Sequence, residues 1–257
     1  MSRGSMLEVT GELDSALRPL VRAWLAQRQA ANHRRDGRLL GEAEGDAAIR
    51  VTAVEVLRPG RPGILDVVAE VGDRAGHAVL GLHRIGEEPH QLRPGEEAVL
   101  GFFTDAEGTA IVVDALYDAD LAPLVLQAVL GDRHRAAFEV VAEDDLGTVV
   151  VFEDRCLTVL TWLADGPHPA VEVLVALDEV GFNHLAAPLS VWRRAGQDLG
   201  VVQERMVGSS SGMALALTSL RDLYAAGGDP SEAGGDFAPE ASALGTLMAR
   251  MHLALDR

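Results

Sequence analysis

A chain of 257 residues is long for one hydrophobic core, and its length suggests about two units of roughly 100 to 150 residues. With 48% hydrophobic, 24% charged and only 4% aromatic residues, it has the composition of a globular protein whose cores are filled by Leu, Val and Ala. A formal net charge of −17 repels phosphate backbones and anionic lipid surfaces, which argues against nucleic acid and membrane as partners.

All 22 positive residues are arginine, and heavy use of Ala, Gly and Asp beside them points to a GC-rich genome. The single cysteine, Cys156, excludes an internal disulfide framework, reads as a small core residue in an apolar strand, and fits a reducing compartment. The first thirty residues lack a basic start, an apolar stretch and a cleavage site. No run approaches the roughly 18 apolar residues of a membrane span, so a cytoplasmic location is expected.

Residues 12–31 place Leu13, Leu17, Leu20, Val21, Trp24 and Leu25 on one helical face, with Pro19 weakening the first turns. Near this helix Arg18, Arg22, Arg28, Arg34, Arg35 and Arg38 outnumber the acids, and arginines so placed are expected on a solvated face. After an Arg, Gly and Asp-rich connector come AIRVTAVEVL, GILDVVAEVG, HAVLGLHRIG and EEAVLGFFTD, strand-like runs separated by Gly and Pro. A fifth strand, TAIVVDAL, leads to a helix in DADLAPLVLQAVLG, where Asp118 or Asp120 can cap the amino end. Residues 1–131 therefore read as an α+β unit, an antiparallel sheet packed on helices.

Residues 136–163 read as three consecutive antiparallel strands. GPHPAVEVLVALDEVGF follows as a helix, with Pro169 in its first turn and Gly181 at its stop, and APLSVWRR and LGVVQERMVG read as two more strands. Strand, strand, strand, helix, strand, strand is the order of a protein-kinase-type small lobe. Residues 132–208 are assigned to this unit, and residues 209–257 to helices interrupted by GGDPSEAGGD.

The segments GPHPAVEVLVALDEVGFNHLAAPL, VVQERMVG, residues 214–257 and, more diffusely, VVDALYDADLAPLVLQAVLG resemble the amino-terminal half of the actinobacterial maltokinases. Those are bilobal kinases, related to aminoglycoside phosphotransferases, that carry a cap domain before the small lobe and transfer phosphate from ATP to maltose. The resemblance implies a cap at 1–131, a small lobe at 132–208 and the helical start of a large lobe at 209–257.

It also implies where the family's chemistry should lie. The polar phosphate-binding turn falls at Asp144, Asp145, Leu146, Gly147 and Thr148, where two acids stand in place of neutral donors. At about 4 Å and an effective dielectric near 20, a carboxylate repels a phosphate charge by roughly 4 kcal/mol, about a thousandfold in affinity. The phosphate-gripping lysine falls at Thr158, which offers no charge, and its glutamate partner at Glu172. The interlobe segment whose backbone would meet an adenine is Gln203 and Glu204. The family's Arg-Trp-Phe-Ala-Gly-Lys turn corresponds at best to residues 28–33. No His-Gly-Asp loop occurs, so no catalytic residue is assigned.

Rival motifs carry less. Gly208, Ser210 and Gly212 match the Gly-x-Ser-x-Gly nucleophile elbow and are followed by Asp222, Asp229, Asp236 and His252, a remote Ser-hydrolase alternative. His77, His83 and His90, near Glu87 and Glu88, read as surface residues and not as a metal site. Trp24, Trp162 and Trp192 read as core or lobe-interface residues and not as a sugar platform.

The expectation is a non-catalytic, maltokinase-like module acting in protein interaction or regulation, in trehalose, maltose or α-glucan metabolism, with no cofactor and no metal. The resemblance suggests trehalose synthase or a maltokinase as partner, or self-association through the last helices, where Leu244, Leu247, Met248, Met251 and Leu255 would form an exposed apolar face. The alternative is half of a sugar kinase using Mg·ATP, its catalytic lobe supplied by another chain.

Overall fold

The amino-terminal helical pattern is realised as α1 (Gly11–Asp36), in a computed structural model that describes residues 5–36, 48–85, 98–131, 139–143, 146–209, 212–229 and 236–256. The Thr10 hydroxyl accepts the Leu13 N–H at 3.2 Å and opens the helix. Pro19 removes one helical hydrogen bond, yet the helix runs through it, because burial of Leu17, Leu20, Val21, Trp24 and Leu25 outweighs the loss. The helix also runs through residues 28–33, so the turn suggested there is absent.

A seven-stranded sheet covers α1. Its strands are β1 (Ser5–Leu7), β2 (Ile49–Arg58), β3 (Gly63–Val71), β4 (Arg74–Arg84), β5 (Val99–Asp105) and β6 (Gly108–Asp114), in the order β1-β2-β3-β4-β6-β5, and β10 (Trp162–Leu163) is added against the start of β4. The pairs β1–β2, β2–β3, β3–β4, β4–β6, β5–β6 and β10–β4 are all antiparallel. Along β3 and β4 nearly every residue is buried, because both faces are covered. Leu65, Val67, Ala69, Ala78, Leu80 and Leu82 join the core under α1. The alternate residues, Ile64, Asp66, His77, Val79, Gly81 and His83, point the other way.

That second face packs on α2 (Ala122–Leu130). Asp118 caps the approach to α2: its Oδ1 accepts the N–H groups of Asp120 and Leu121 at 2.9 and 3.1 Å. Gly81 lies directly beneath, where a Cβ would stand 2.1 Å from Leu121 Cδ1.

A five-stranded sheet follows, from β7 (Glu139–Glu143), β8 (Gly147–Val151), β9 (Arg155–Leu160), β11 (Pro188–Arg194) and β12 (Gln197–Glu204), in the order β11-β12-β9-β8-β7. Val150, Phe152, Leu157, Val159 and Val202 from this sheet share one core with α2 and with Ile64 and Val79 of the first sheet. The expected boundary near residue 131 thus falls between two sheets that share a core. The chain crosses back at Thr161, where β10 leaves the second sheet to pair with β4. Ala195 (φ 48°) and Gly196 (φ 86°) form the two-residue turn joining β11 to β12.

The molecule divides into two units, residues Met1–His168 with Leu189–Gln203, and Pro169–Pro188 with Glu204–Arg257. Both sheets belong to the first. The second is helical, with α3 (Pro169–Glu179), α4 (Gly212–Ala226) and α5 (Ala238–Leu255). Gly181 (φ 72°) ends α3, and the Phe182 N–H returns to the Leu177 carbonyl at 2.9 Å. The fold class is α+β, built on antiparallel sheets.

Candidate functional site

The β8–β9 ladder fixes where the expected phosphate-binding positions lie. Cross-strand partners share a face, and here Thr148 pairs with Val159 while Thr158 pairs with Val149. Thr148 and Thr158 therefore sit on opposite faces of the second sheet and do not converge. Thr148 faces the shared core, wholly buried, and its hydroxyl has no hydrogen-bond partner. Gly147 beside it allows the strands to approach: a Cβ would lie 2.0 Å from the Val159 carbonyl oxygen.

Thr158 lies on the less covered face with Val149 and Cys156, both only partly buried. The cation on this strand is Arg155, about 10 Å away at three residues' separation. Its guanidinium is gripped by Asp154, with Nε and Nη2 donating to the two carboxylate oxygens at 3.0 and 2.7 Å. The position expected for a phosphate-binding cation is thus a neutral threonine, and the nearby arginine already holds a carboxylate.

Glu172 is exposed in the first turn of α3, in the second unit. Gln203 is half-buried at the end of β12, and the Glu204 N–H donates to the Ala187 carbonyl at 3.0 Å. Asp144, Asp145, Glu87, Glu88, His90 and Ser210 lie outside the described residues, as do the side chains of residues 29–33.

His77 and His83, expected on the surface, are buried and paired with carboxylates. His77 Nδ1 donates to the Leu160 carbonyl at 2.9 Å, and its Nε2 lies 2.8 Å from Asp66 Oδ1. The other oxygen of Asp66 accepts from Arg194 Nη1 at 2.7 Å, and Arg194 also reaches Glu55 at 3.4 Å. The Trp192 ring packs edge-on against His77, centroids 5.3 Å apart. This chain of charges ties β2, β3 and β4 to β9 and β11, and so fastens the first sheet to the second.

A second buried pair, His83 Nε2 and Asp118 Oδ2 at 2.9 Å, anchors the approach to α2. Burial raises the Asp118 carboxyl, yet the His83 contact and the N–H groups of Asp120 and Leu121 outweigh it and hold it below the usual value. Arg28, expected on a solvated face, is also buried. It donates to Asp114 at 2.7 Å and stacks over Trp24 and Tyr117. The sequence signal for all three pairs was a lone Asp in or beside an apolar strand, Asp66 in GILDVVAEV and Asp114 and Asp118 around TAIVVDAL.

In the second unit the apolar face expected on the last helices is present. Leu244, Met248 and Leu255 of α5 are exposed, and Leu247 and Met251 are half-buried. Between α3 and α5 runs an apolar trough of about 340 Å³, with walls that include Val173, Leu174, Leu177, Leu244, Met248 and Met251. On α4 no residue is buried, and Met213, Leu217, Leu220 and Tyr224 are exposed.

Strand β12 ends at Glu204 and α4 begins at Gly212, and Ser210 of the Gly-x-Ser-x-Gly match lies outside the described residues. Asp236 Oδ1 accepts the Ala238 N–H at the start of α5, and His252 is exposed on that helix. Among the described residues no cluster of His, Cys, Asp and Glu could hold a metal ion. Trp24 is buried, and the ring of Trp162 is covered by the Arg74 guanidinium at 3.8 Å. No helix among the described residues is long and apolar enough to cross a membrane.

No family model matches the chain. Among solved structures it is similar to two crystal forms of a glucosamine kinase. Form A has 20% identity and a TM-score of 0.45, form B 22% and 0.43, each over 80% of this chain and 45% of that one. A glucosamine kinase in complex with glucosamine, ADP and inorganic phosphate has 20% identity and a TM-score of 0.43, over 90% of this chain and 51% of that one. The chain spans about half the length of these structures.

Proposed function

We propose that the chain is a non-catalytic, maltokinase-like module that works through protein contact in the metabolism of trehalose, maltose or α-glucan. The observation that carries this reading is Thr158. At the position where the maltokinase resemblance puts the phosphate-gripping lysine, a neutral hydroxyl sits on β9, and Arg155 on the same strand is occupied by Asp154. A kinase needs a cation there to offset the charge of the transferred phosphate. Asp144 and Asp145 add negative charge to the same turn in sequence.

The apolar surface of the helical unit supports the contact role, since exposed Leu and Met side chains recurring along its helices mark an interaction surface. Trehalose synthase, a maltokinase or a second copy of the chain are the partners this reading names. The same surface suits a second reading, half of a sugar kinase whose catalytic lobe is on another chain, which requires Mg·ATP to bind. The test is ADP release by the purified chain offered Mg·ATP with maltose or with glucosamine. The proposal expects none above the no-enzyme rate, and sustained turnover with either sugar would overturn it.

A further inference from the structure

The helical unit carries two apolar surfaces that complement one another. The first is the trough, whose walls repeat one spacing: Ala170, Val173, Leu174 and Leu177 on α3, and Leu244, Leu247, Met248 and Met251 on α5, each set at i, i+3, i+4 and i+7. Two helices that present such stripes side by side leave a groove two turns long, the shape that accepts a third helix. The second surface is α4, where Met213, Leu217, Leu220 and Tyr224 follow at intervals of four, three and four, a heptad stripe left exposed among the described residues. Tyr224 is 82% exposed and Met213 71%.

Resting on the contact role proposed above, we infer that the occupant of the trough is α4 of a second copy of this chain, placed reciprocally in a two-fold dimer. Area supports the reciprocal arrangement. A wholly exposed large side chain offers about 150–200 Å². The exposed fractions of Met213, Leu217, Leu220 and Tyr224 on α4 and of Val173, Leu244 and Met248 in the trough then sum to on the order of 700 Å² per chain. A two-fold dimer covers about 1,400 Å² in this way, within the range of a stable interface, whereas a single α4–trough contact covers half that and falls in the range of weak encounters. Two reciprocal contacts also close the assembly, so it stops at two copies.

Charge sets the salt dependence. Two chains of −17 repel one another, while α4 carries only Arg221 and Asp222, a balanced pair. Screening shortens the repulsion to about 8 Å at physiological ionic strength, so the dimer tightens as salt rises. A complex with a basic partner helix would weaken instead.

The test is sedimentation equilibrium of the full chain in 0.05 and about 0.5 M NaCl, with far-UV circular dichroism as the check on folding. The proposal expects twice the 27.2 kDa chain mass, with a Kd that falls at higher salt. It also expects a Kd at least tenfold weaker for Leu217→Glu on α4 and for Met248→Glu in the trough. Both positions are half exposed, so either variant keeps its fold. Mixing the two variants restores one intact contact, α4 of the Met248→Glu chain in the trough of the Leu217→Glu chain, so the mixture associates more tightly than either alone. A wild-type monomer at both salts overturns the proposal, and so does a Met248→Glu dimer as tight as the parent or a mixture no tighter than its components. A monomer that shows no ADP release removes the dimer and leaves the non-catalytic reading in place; a dimer with turnover does the reverse.

Discussion

Replacing Arg194 by Met tests whether the chain of charges between the two sheets holds the first unit together. Methionine keeps most of the apolar stem and removes only the guanidinium. In the native protein that group donates to Asp66 at 2.7 Å, and Asp66 is wholly buried. With about 4 Å between charge centres and an effective dielectric near 20, the attraction is about 4 kcal/mol. Arg194 keeps 16% of its side-chain surface in water, which lowers the figure. Removing one partner of a buried pair costs about 3–5 kcal/mol when the other charge is left alone; Asp66 keeps its contact with His77, so the loss expected for Arg194→Met lies at the low end, about 3 kcal/mol. Equilibrium urea unfolding, read through the fluorescence of nearby Trp192, measures it. A double-mutant cycle with Asp66→Asn should show coupling of at least about 1 kcal/mol. A loss below about 1 kcal/mol with no coupling would refute the reasoning and mean that the apolar core alone fastens the sheets.

Three further outcomes are expected. Leu17, wholly buried under the first sheet, should cost about 2–5 kcal/mol when changed to Ala, measured by urea unfolding; a change under about 1 kcal/mol would place it outside the core. Gly147→Ala should cost at least about 1–3 kcal/mol, because the added Cβ meets the Val159 carbonyl and not a yielding side-chain tip; an unchanged melting temperature would mean that the strands part freely there. The Asp14 carboxyl accepts the Val51 N–H at 2.8 Å and pairs with Arg18, which together hold it below its ordinary value of 3.8. Its stabilisation is therefore present above that value and lost as pH falls through the lower folded one. Asp14→Asn should be less stable than the parent at pH 6 and converge with it in acid; a gap that stays constant down to pH 2 would contradict this sign.

Much of the architecture was legible because its signals are local. The apolar face of α1 is the one predicted from spacing, and β2 to β6, β8, β9 and β12 fall on the β-branched runs bounded by Gly and Pro. The histidines were misplaced because period-two alternation says which residues share a face, not whether that face is covered. His77 and His83 lie on the face of β4 that α2 and the second sheet close, and both are buried. The crossing of β10 into the first sheet was equally hidden, since two residues, Trp162 and Leu163, carry no periodicity. At the candidate site the sequence located Thr148 and Thr158 on adjacent strands. It could not give the register that sends them to opposite faces, which depends on how β8 and β9 pair.

The central proposal is that this chain lacks a working phosphate site, and calorimetric titration with Mg·ATP tests it most directly, with ADP as a parallel ligand. With Thr158 at the lysine position and Arg155 held by Asp154, the account predicts no binding heat and no thermal shift up to millimolar nucleotide. Saturable binding in the micromolar range would contradict it. A cation supplied from elsewhere in the chain would then do the lysine's work, and the split-kinase reading would replace the non-catalytic one.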